Sequence, residues 1–296
     1  MARPYKIFLR HVRKTTRSWA LGAPHRVGKM SSKLSELQNA TVGMIVGCIE
    51  VLILQPFNYA KNMTQQKQPI SLNPMIMYRG VGANCVNMGS CTMIQFAVGG
   101  KLKSMILSGD DRRLSFGEEM MCGLGGGFIS AFVGSPLELI MIQQQRKGLS
   151  TVKTMQSIAT PSNILRGFTG TAFREALWTC GYLSIPPVVR RNLMENYPDT
   201  FDSNEKARIP AALLGGLFAC YLTHPFDTIK TCMQGDIERA TYKNMVDTAG
   251  VIWRNNGGIY GFYRGATFRY GRMVCAVFIM DTLKDLVSKA LYPDIY

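Results

Sequence analysis

Residues 224–234 read HPFDTIKTCMQ, and residues 55–65 (QPFNYAKNMTQ) and 135–145 (SPLELIMIQQQ) follow the same plan. Each stretch places a proline nine residues before a glutamine. The prolines are Pro56, Pro136 and Pro225, and the matching glutamines are Gln65, Gln145 and Gln234. A motif that recurs along a chain indicates one structural unit that is repeated and stacked on its neighbours. We therefore predict three copies of one helical hairpin.

Two further features align with the prolines. Small residues lie thirteen and nine positions before each proline, and an Arg-Gly step closes each copy. The small residues are Gly43 and Gly47, Gly123 and Gly127, and Ala212 and Gly216; the steps are Arg79-Gly80, Arg166-Gly167 and Arg264-Gly265. Small residues four apart let two helices approach closely, so we interpret them as packing positions. Because one hairpin cannot bury its own inner face, the modules at residues 36–110, 111–200 and 201–296 are predicted to form one domain.

The composition fits a membrane protein only when it is considered together with this repeat. Hydrophobic residues make up 47% of the chain and the mean hydropathy is +0.03, values that would also suit a soluble domain. An ideal spanning helix has about 20 unbroken apolar residues, and few stretches of this sequence offer them. Six segments are nevertheless long enough to cross a membrane, and their polar residues suit helices that line a wet cavity. They are residues 36–65, 81–104, 116–145, 168–194, 207–234 and 266–290. The predicted fold class is an all-α membrane protein with six transmembrane helices.

The three prolines divide each odd-numbered helix into two halves. A proline inside a helix removes a backbone hydrogen bond and bends the helix, so three bends can bring the lower ends of the helices together. Positions two and five residues after each proline lie on one helical face. These positions hold Asn58 and Lys61 in the first copy, Glu138 and Met141 in the second, and Asp227 and Lys230 in the third.

The repeat of Pro-x-acid-x-x-base, glutamine, loop and aromatic-base-Gly resembles that of the mitochondrial carrier family over roughly residues 36–291. The resemblance implies a six-helix barrel of three pseudo-repeated hairpins in the mitochondrial inner membrane. It also implies that both termini face the intermembrane space and that a central site is exposed alternately to the two sides. In this family the matrix end closes when each acid pairs with the base of the next odd-numbered helix.

Transferred to this sequence, the resemblance implies a matrix gate of three rungs. The rungs are Glu138 with Lys230, Asp227 with Lys61, and Asn58 with Met141. Both departures from the charged pattern fall on one rung, which is physically coherent. Removing one partner of a buried ion pair costs about 3–5 kcal/mol, whereas replacing both partners is often near neutral. Gln65, Gln145 and Gln234 are expected either to brace these rungs by hydrogen bonds or simply to line a polar funnel.

The resemblance also implies substrate contacts seven residues after each closing glycine, at Asn87, Arg174 with its neighbour Glu175, and Arg272. The Arg174-Glu175 pair resembles that of carriers for amino acids, and two arginines suit a carboxylate through bidentate bonds. The alternative is an internal ion pair in which Glu175 neutralises an arginine without a substrate. Glu50 is a weaker candidate whose other interpretation is a pairing with a nearby arginine.

At the opposite end of the helices, the corresponding positions leave only Lys103 and Asp285 as a candidate pair. With one candidate pair at that gate and two at the matrix gate, we expect the conformation that is closed to the matrix to predominate.

No other motif suggests chemistry. The eight cysteines are dispersed without a C-x-x-C, which makes metal or disulfide use improbable, and the three histidines complete no His-acid-nucleophile set. We expect no catalytic residue, no metal and no cofactor, and therefore not an enzyme.

Residues 1–35 hold nine Lys or Arg residues and no acid, within a chain of net charge +15. This basic amphipathic extension has three interpretations: a mitochondrial targeting segment, an anchor on anionic membrane lipid, or a docking arm for other subunits of an inner-membrane complex. A nucleic-acid partner gains nothing from the hydrophobic hairpins. The predicted function is transport of a small carboxylate or amino-acid-like metabolite across the mitochondrial inner membrane. The lost gate charges motivate an alternative, a structural subunit of a large respiratory assembly.

Overall fold

The computed structural model describes residues 36–293 except 109, 111 and 113. The described residues are about 81% helical and form no strand. Six helices are long: α1 (Glu36–Gln65), α3 (Val81–Leu107), α4 (Phe116–Lys147), α7 (Phe168–Asn196), α8 (Asn204–Gly235) and α11 (Ala266–Leu291). Five are short: α2 (Pro74–Met77), α5 (Thr151–Ile158), α6 (Pro161–Ile164), α9 (Met245–Asn255) and α10 (Ile259–Phe262). Three stretches of the long helices, Thr41–Gln65, Phe116–Lys147 and Asn204–Gly235, are long and apolar enough to cross a membrane by length and composition.

The three motif prolines lie inside continuous helices. Pro56 is within α1, Pro136 within α4 and Pro225 within α8. Each of these helices continues through its proline to the glutamine of the motif, so the polar positions that follow the proline remain helical. This places the residues two and five positions after each proline on one face of a helix.

The closing glycines begin the second long helix of each module with left-handed backbone. Gly80, Gly167 and Gly265 have φ values of 77°, 77° and 78° and precede α3, α7 and α11. A Cβ at each would also approach a carbonyl oxygen of another module. These oxygens belong to Met141 at 2.9 Å, Lys230 at 3.3 Å and Lys61 at 3.1 Å, respectively. Backbone angle and space both require glycine here, which explains why the Arg-Gly step recurs in all three copies.

The long helices pack in a cyclic order. Helix α1 contacts α3, α3 contacts α4, α4 contacts α7, α7 contacts α8, α8 contacts α11, and α11 returns to α1. Each long helix therefore lies between two others in this order, and α1, α4 and α8 also contact one another, so residues on the inner faces can meet residues from several helices.

The small-residue positions contribute unequally to this packing. A Cβ at Gly123 would lie 2.9 Å from Cα of Cys180, one at Gly127 would overlap the Glu175 carbonyl, and one at Gly216 would lie 2.8 Å from Sδ of Met273. The packing interpretation is therefore correct in the second and third modules. It is wrong in the first, because among the described residues a Cβ at Gly43 would meet nothing within 4 Å and one at Gly47 would make only an ordinary 3.7 Å contact.

The second and third modules are also joined by hydrogen bonds where the C-terminal end of α8 meets the loop before α7. The guanidinium of Arg166 donates hydrogen bonds to the carbonyl oxygens of Met233 at 3.0 Å and Asp236 at 2.9 Å, and to those of Tyr242 and Lys243 beyond them. The last carbonyls of a helix have no partner within the helix. The Arg166 side chain, from the second module, therefore caps a helix of the third.

Candidate functional site

Seven charged side chains form one continuous network between the long helices, joined by contacts of at most 4.0 Å. They come from five of the six long helices: Lys61 on α1, Glu138 on α4, Arg174 and Glu175 on α7, Asp227 and Lys230 on α8, and Arg269 on α11. Charged groups are costly within membrane-spanning segments unless they are paired, and they are commonly functional there. We therefore take this network as the candidate site.

Both ion pairs that the sequence implies are formed. Lys61 Nζ lies 2.8 Å from Asp227 Oδ2, and Lys230 Nζ lies 2.8 Å from Glu138 Oε2. All four side chains are buried. The pairs tie α1 and α4 to α8 just beyond the prolines, so they join all three odd-numbered helices.

The third rung is neutral. Asn58 Nδ2 lies 3.4 Å from the sulfur of Met141, which is only a weak acceptor. One helical turn further along α1, Asn62 donates a 2.7 Å hydrogen bond to Gln145 Oε1. The contact between α1 and α4 is therefore held by an amide pair where the other two contacts have ion pairs.

The three motif glutamines have different partners. Gln65 Nε2 donates to Asp227 Oδ2 and to Thr228 Oγ1, both at 3.1 Å, and so touches a rung carboxylate. Gln145 instead accepts from Asn62, and Gln234 donates to the carbonyl oxygen of Ser135 at 3.2 Å. The bracing interpretation therefore describes the contacts of Gln65 alone, because the other two amides bond groups outside the ion pairs.

The predicted substrate contacts Arg174 and Glu175 are bonded to each other and to the ion pairs. Arg174 Nη2 donates to Glu138 Oε1 at 2.6 Å and also to Glu175 Oε1. Its Nε lies 3.6 Å from Asp227 Oδ1. The second oxygen of Glu175 accepts a 2.9 Å hydrogen bond from Gln95 on α3. The internal ion pair that the sequence allowed as an alternative is thus present.

Arg272 and Asn87 lie apart from that pair. Arg272 Nη2 donates to Glu50 Oε1 at 2.8 Å, so Glu50 has the arginine partner expected for it. The Glu50 side chain is 1% exposed and that of Arg272 is 31% exposed. Asn87 Oδ1 accepts from Cys91 on its own helix at 3.3 Å. Neither Asn87 nor Arg272 forms a hydrogen bond or ion pair with Arg174 or Glu175 in the described part of the chain.

Two members of the site were not predicted from the sequence. Arg269 lies on α11, and its Nη1 is 3.8 Å from Asp227 Oδ2. Its Nη2 donates a 2.7 Å hydrogen bond to Thr223 Oγ1. The guanidinium carbon Cζ lies 5.8 Å from the centre of the Trp178 ring. It precedes Arg272 by three residues and so shares a helical face with it, which is a signal the sequence carried. Gln95 had no comparable signal, since it belongs to no recurring position.

The opposite ends of the helices are not joined by the predicted pair. Lys103 and Asp285 are both exposed, and no ion pair links them within residues the structure describes. Within the described residues, the ion pairs at that end join residues close in sequence: Arg112 with Asp110 and Glu118, Lys206 with Asp202, and Arg208 with Glu205.

The chain is similar in sequence to mitochondrial transport proteins. A family profile described as "Mitochondrial carrier protein" matches residues 206–294, which lie within the third module. The chain is 25% identical over 259 residues to the mitochondrial glycine transporter YMC1 of Saccharomyces cerevisiae, covering 77% of this chain and 83% of that protein. It is 24% identical over 297 residues to the tricarboxylate transport protein of the same yeast, covering 87% and 98%. A mitochondrial glycine transporter of Yarrowia lipolytica is 25% identical, covering 83% and 93%.

Proposed function

This chain is a divergent member of the mitochondrial carrier family, and from that premise we propose that it moves a small carboxylate or amino-acid-like metabolite across the mitochondrial inner membrane by alternating access. In the proposed architecture the six long helices form a transmembrane barrel of three hairpins. The cyclic packing order, in which α11 returns to α1, supports that arrangement. The similar proteins are named as transporters and not as enzymes.

The observation that carries this proposal is the direct contact between a predicted substrate-binding residue and an ion pair of the predicted gate. Arg174 occupies a position implied to touch substrate, and it donates to Glu138, which is paired with Lys230. A substrate carboxylate bound to Arg174 would compete with Glu138 for the same guanidinium, since carboxylates prefer bidentate bonding to arginine. Binding would thereby weaken the contact that holds α7 to α4.

The proposed gate follows from the rungs. Two buried ion pairs and one neutral amide contact close the proline-glutamine side, while at the other end Lys103 and Asp285 are exposed and do not pair with each other within the described residues. The structure is thus assigned to the state closed to the matrix and open to the intermembrane space. A substrate shifts such an equilibrium only by its differential affinity for the two states, so competition at Arg174 supplies the required difference.

Reconstitution tests the proposal. Purified full-length protein in liposomes should exchange internal for external labelled glycine or citrate, the substrate classes suggested by the names of its relatives. Lys230→Gln should reduce exchange strongly because it leaves Glu138 without its lysine. Exposed Lys284→Gln on α11 removes the same charge and should not change exchange. Folded protein that exchanges none of the small carboxylates or amino acids tested would overturn the proposal.

The alternative of a structural subunit in a respiratory assembly gains no support from the comparisons. Its proposed contact surface, residues 1–35, lies outside the described residues. The targeting and lipid-anchor interpretations concern the same segment. These remain predictions from the sequence.

A further inference from the structure

The charged network is not electrically balanced. It contains four cationic side chains and three carboxylates. The cations are Lys61, Arg174, Lys230 and Arg269, and the carboxylates are Glu138, Glu175 and Asp227. The neighbouring Glu50–Arg272 pair is neutral and does not change this difference. The network therefore carries one surplus positive charge.

The surplus charge can be located at Arg269. Every other cation of the network donates a hydrogen bond to a carboxylate: Lys61 to Asp227, Lys230 to Glu138, and Arg174 to Glu138 and Glu175. Arg269 donates to the neutral hydroxyl of Thr223 and forms no hydrogen bond to a carboxylate within the described residues. Its nearest carboxylate oxygen, on Asp227, is 3.8 Å away, which is beyond hydrogen-bonding distance, and Asp227 is already shared with three other cations.

The Arg269 guanidinium also has an unused donor. Its side chain is 10% exposed, and the buried atom Nη1 has no hydrogen-bond partner among the residues that the structure describes. A buried charged donor without an acceptor is costly. A guanidinium presents its donors in a planar fork that fits a carboxylate. The face of Trp178 lies against the group at 5.8 Å, which limits the directions from which an anion can approach.

We propose that Arg269 binds the carboxylate of the substrate, and that the preferred substrate carries a single net negative charge. This inference rests on the proposed transport function and narrows it. A monoanion neutralises the surplus charge of the network, a zwitterion leaves it unchanged, and a dianion reverses its sign. Burial of net charge between membrane helices is costly in the latter two cases.

The test uses three probes of similar size: glycolate as the monoanion, glycine as the zwitterion and malonate as the dianion. Thermal unfolding of the full-length protein in detergent measures binding, and exchange in liposomes measures transport. Wild-type protein should be stabilised more by glycolate than by glycine or malonate, and it should exchange glycolate fastest.

Substitutions at Arg269 distinguish the effect of its positive charge on binding from an effect on protein folding. Arg269→Gln should weaken glycolate binding about 10- to 100-fold, as expected for loss of a charged hydrogen bond, and should leave glycine at least as effective as glycolate. Arg269→Lys keeps the charge and should retain the preference for glycolate, which shows that the Gln variant does not fail through misfolding alone. Lys284→Gln, exposed on the same helix, should behave as wild type.

The outcomes distinguish the two proposals. If wild-type protein exchanges solutes but prefers glycine or malonate, or if Arg269→Gln keeps the wild-type preference for glycolate, the assignment of Arg269 is overturned and the transport function stands. If folded protein neither binds nor exchanges any probe, nor citrate, both proposals are overturned.

Discussion

Arg174 Nη2 lies 2.6 Å from Glu138 Oε1, so a side chain at an implied substrate position is hydrogen-bonded to a carboxylate of an implied gate. The two residues belong to the second module, 36 positions apart, and lie on its two long helices, α4 and α7. Their contact means that binding and gating do not require a long coupling path through the protein. One guanidinium participates in both.

The first prediction concerns that guanidinium. Arg174→Gln leaves Glu138 and Glu175 with fewer partners in a buried site, and breaking a buried pair typically costs about 3–5 kcal/mol. We expect a markedly lower unfolding temperature in detergent and no exchange in liposomes. Arg190→Gln, on the same helix but outside the network, serves as a charge-matched control and should unfold near the wild-type temperature. Unchanged stability of the Arg174 variant would contradict the structural importance of this contact.

The second prediction concerns the neutral rung between α1 and α4. Asn58→Asp alone places a buried carboxylate beside the sulfur of Met141 and should destabilise the protein. Adding Met141→Lys supplies a partner at the same contact, as in the other two rungs. The double variant should recover stability and exchange more slowly than wild type, because a third ion pair strengthens the closed gate. A double-mutant cycle of unfolding temperatures measures the coupling, and additive effects would show that the two positions do not interact.

The third prediction compares glycines of the same repeat position. Gly123→Ala introduces a Cβ that would lie 2.9 Å from Cα of Cys180, and overpacking typically costs about 1–3 kcal/mol. Gly43→Ala meets nothing within 4 Å and should be neutral or stabilising, since alanine favours a helix interior by about 1 kcal/mol. Unfolding temperatures of the two variants should shift in opposite directions or differ clearly in size. A similar loss in both would indicate that the first module also packs through its glycines.

The contrast between modules shows what the sequence could predict. The triplicated motif predicted the helical segments and the helical face that Asp227 and Lys230 share, and the family resemblance implied the two ion pairs. It did not predict the open space beside Gly43, since close approach depends on residues of a neighbouring helix. The transfer of one pattern to all three copies assumed equal packing in each, and the copies differ.

The same reasoning explains the omissions at the site. Arg269 was within reach of sequence analysis, because it shares a face of α11 with Arg272. Gln95 was not, since its contact with Glu175 brings together helices of two modules and no spacing rule connects them. The partners of Gln145 and Gln234 likewise depend on how neighbouring helices meet, and identical motif positions therefore have different contacts.

The last prediction concerns Asp236, which lies beyond the end of α8. Burial raises the pKa of its carboxyl, but hydrogen bonds from the backbone N–H groups of Tyr242, Thr241 and Ala240 lower it more, and the net pKa is below its ordinary value. A carboxyl with a lowered pKa stabilises the folded state above its unfolded pKa of about 3.9, and this contribution is lost as the pH falls through the folded value.

Asp236→Asn should therefore lower the unfolding temperature in detergent at pH 7, by the equivalent of about 1.5–3 kcal/mol for a charged hydrogen bond. The difference from wild type should shrink as the pH falls below about 4, where wild-type Asp236 also begins to lose its charge. Asp247→Asn is the matched control, because Asp247 is more exposed and its carboxylate accepts a single 3.3 Å bond from the Lys243 N–H; its effect should be small at both pH values. A difference for Asp236→Asn that stays constant or grows toward low pH would contradict the role assigned to the carboxylate charge.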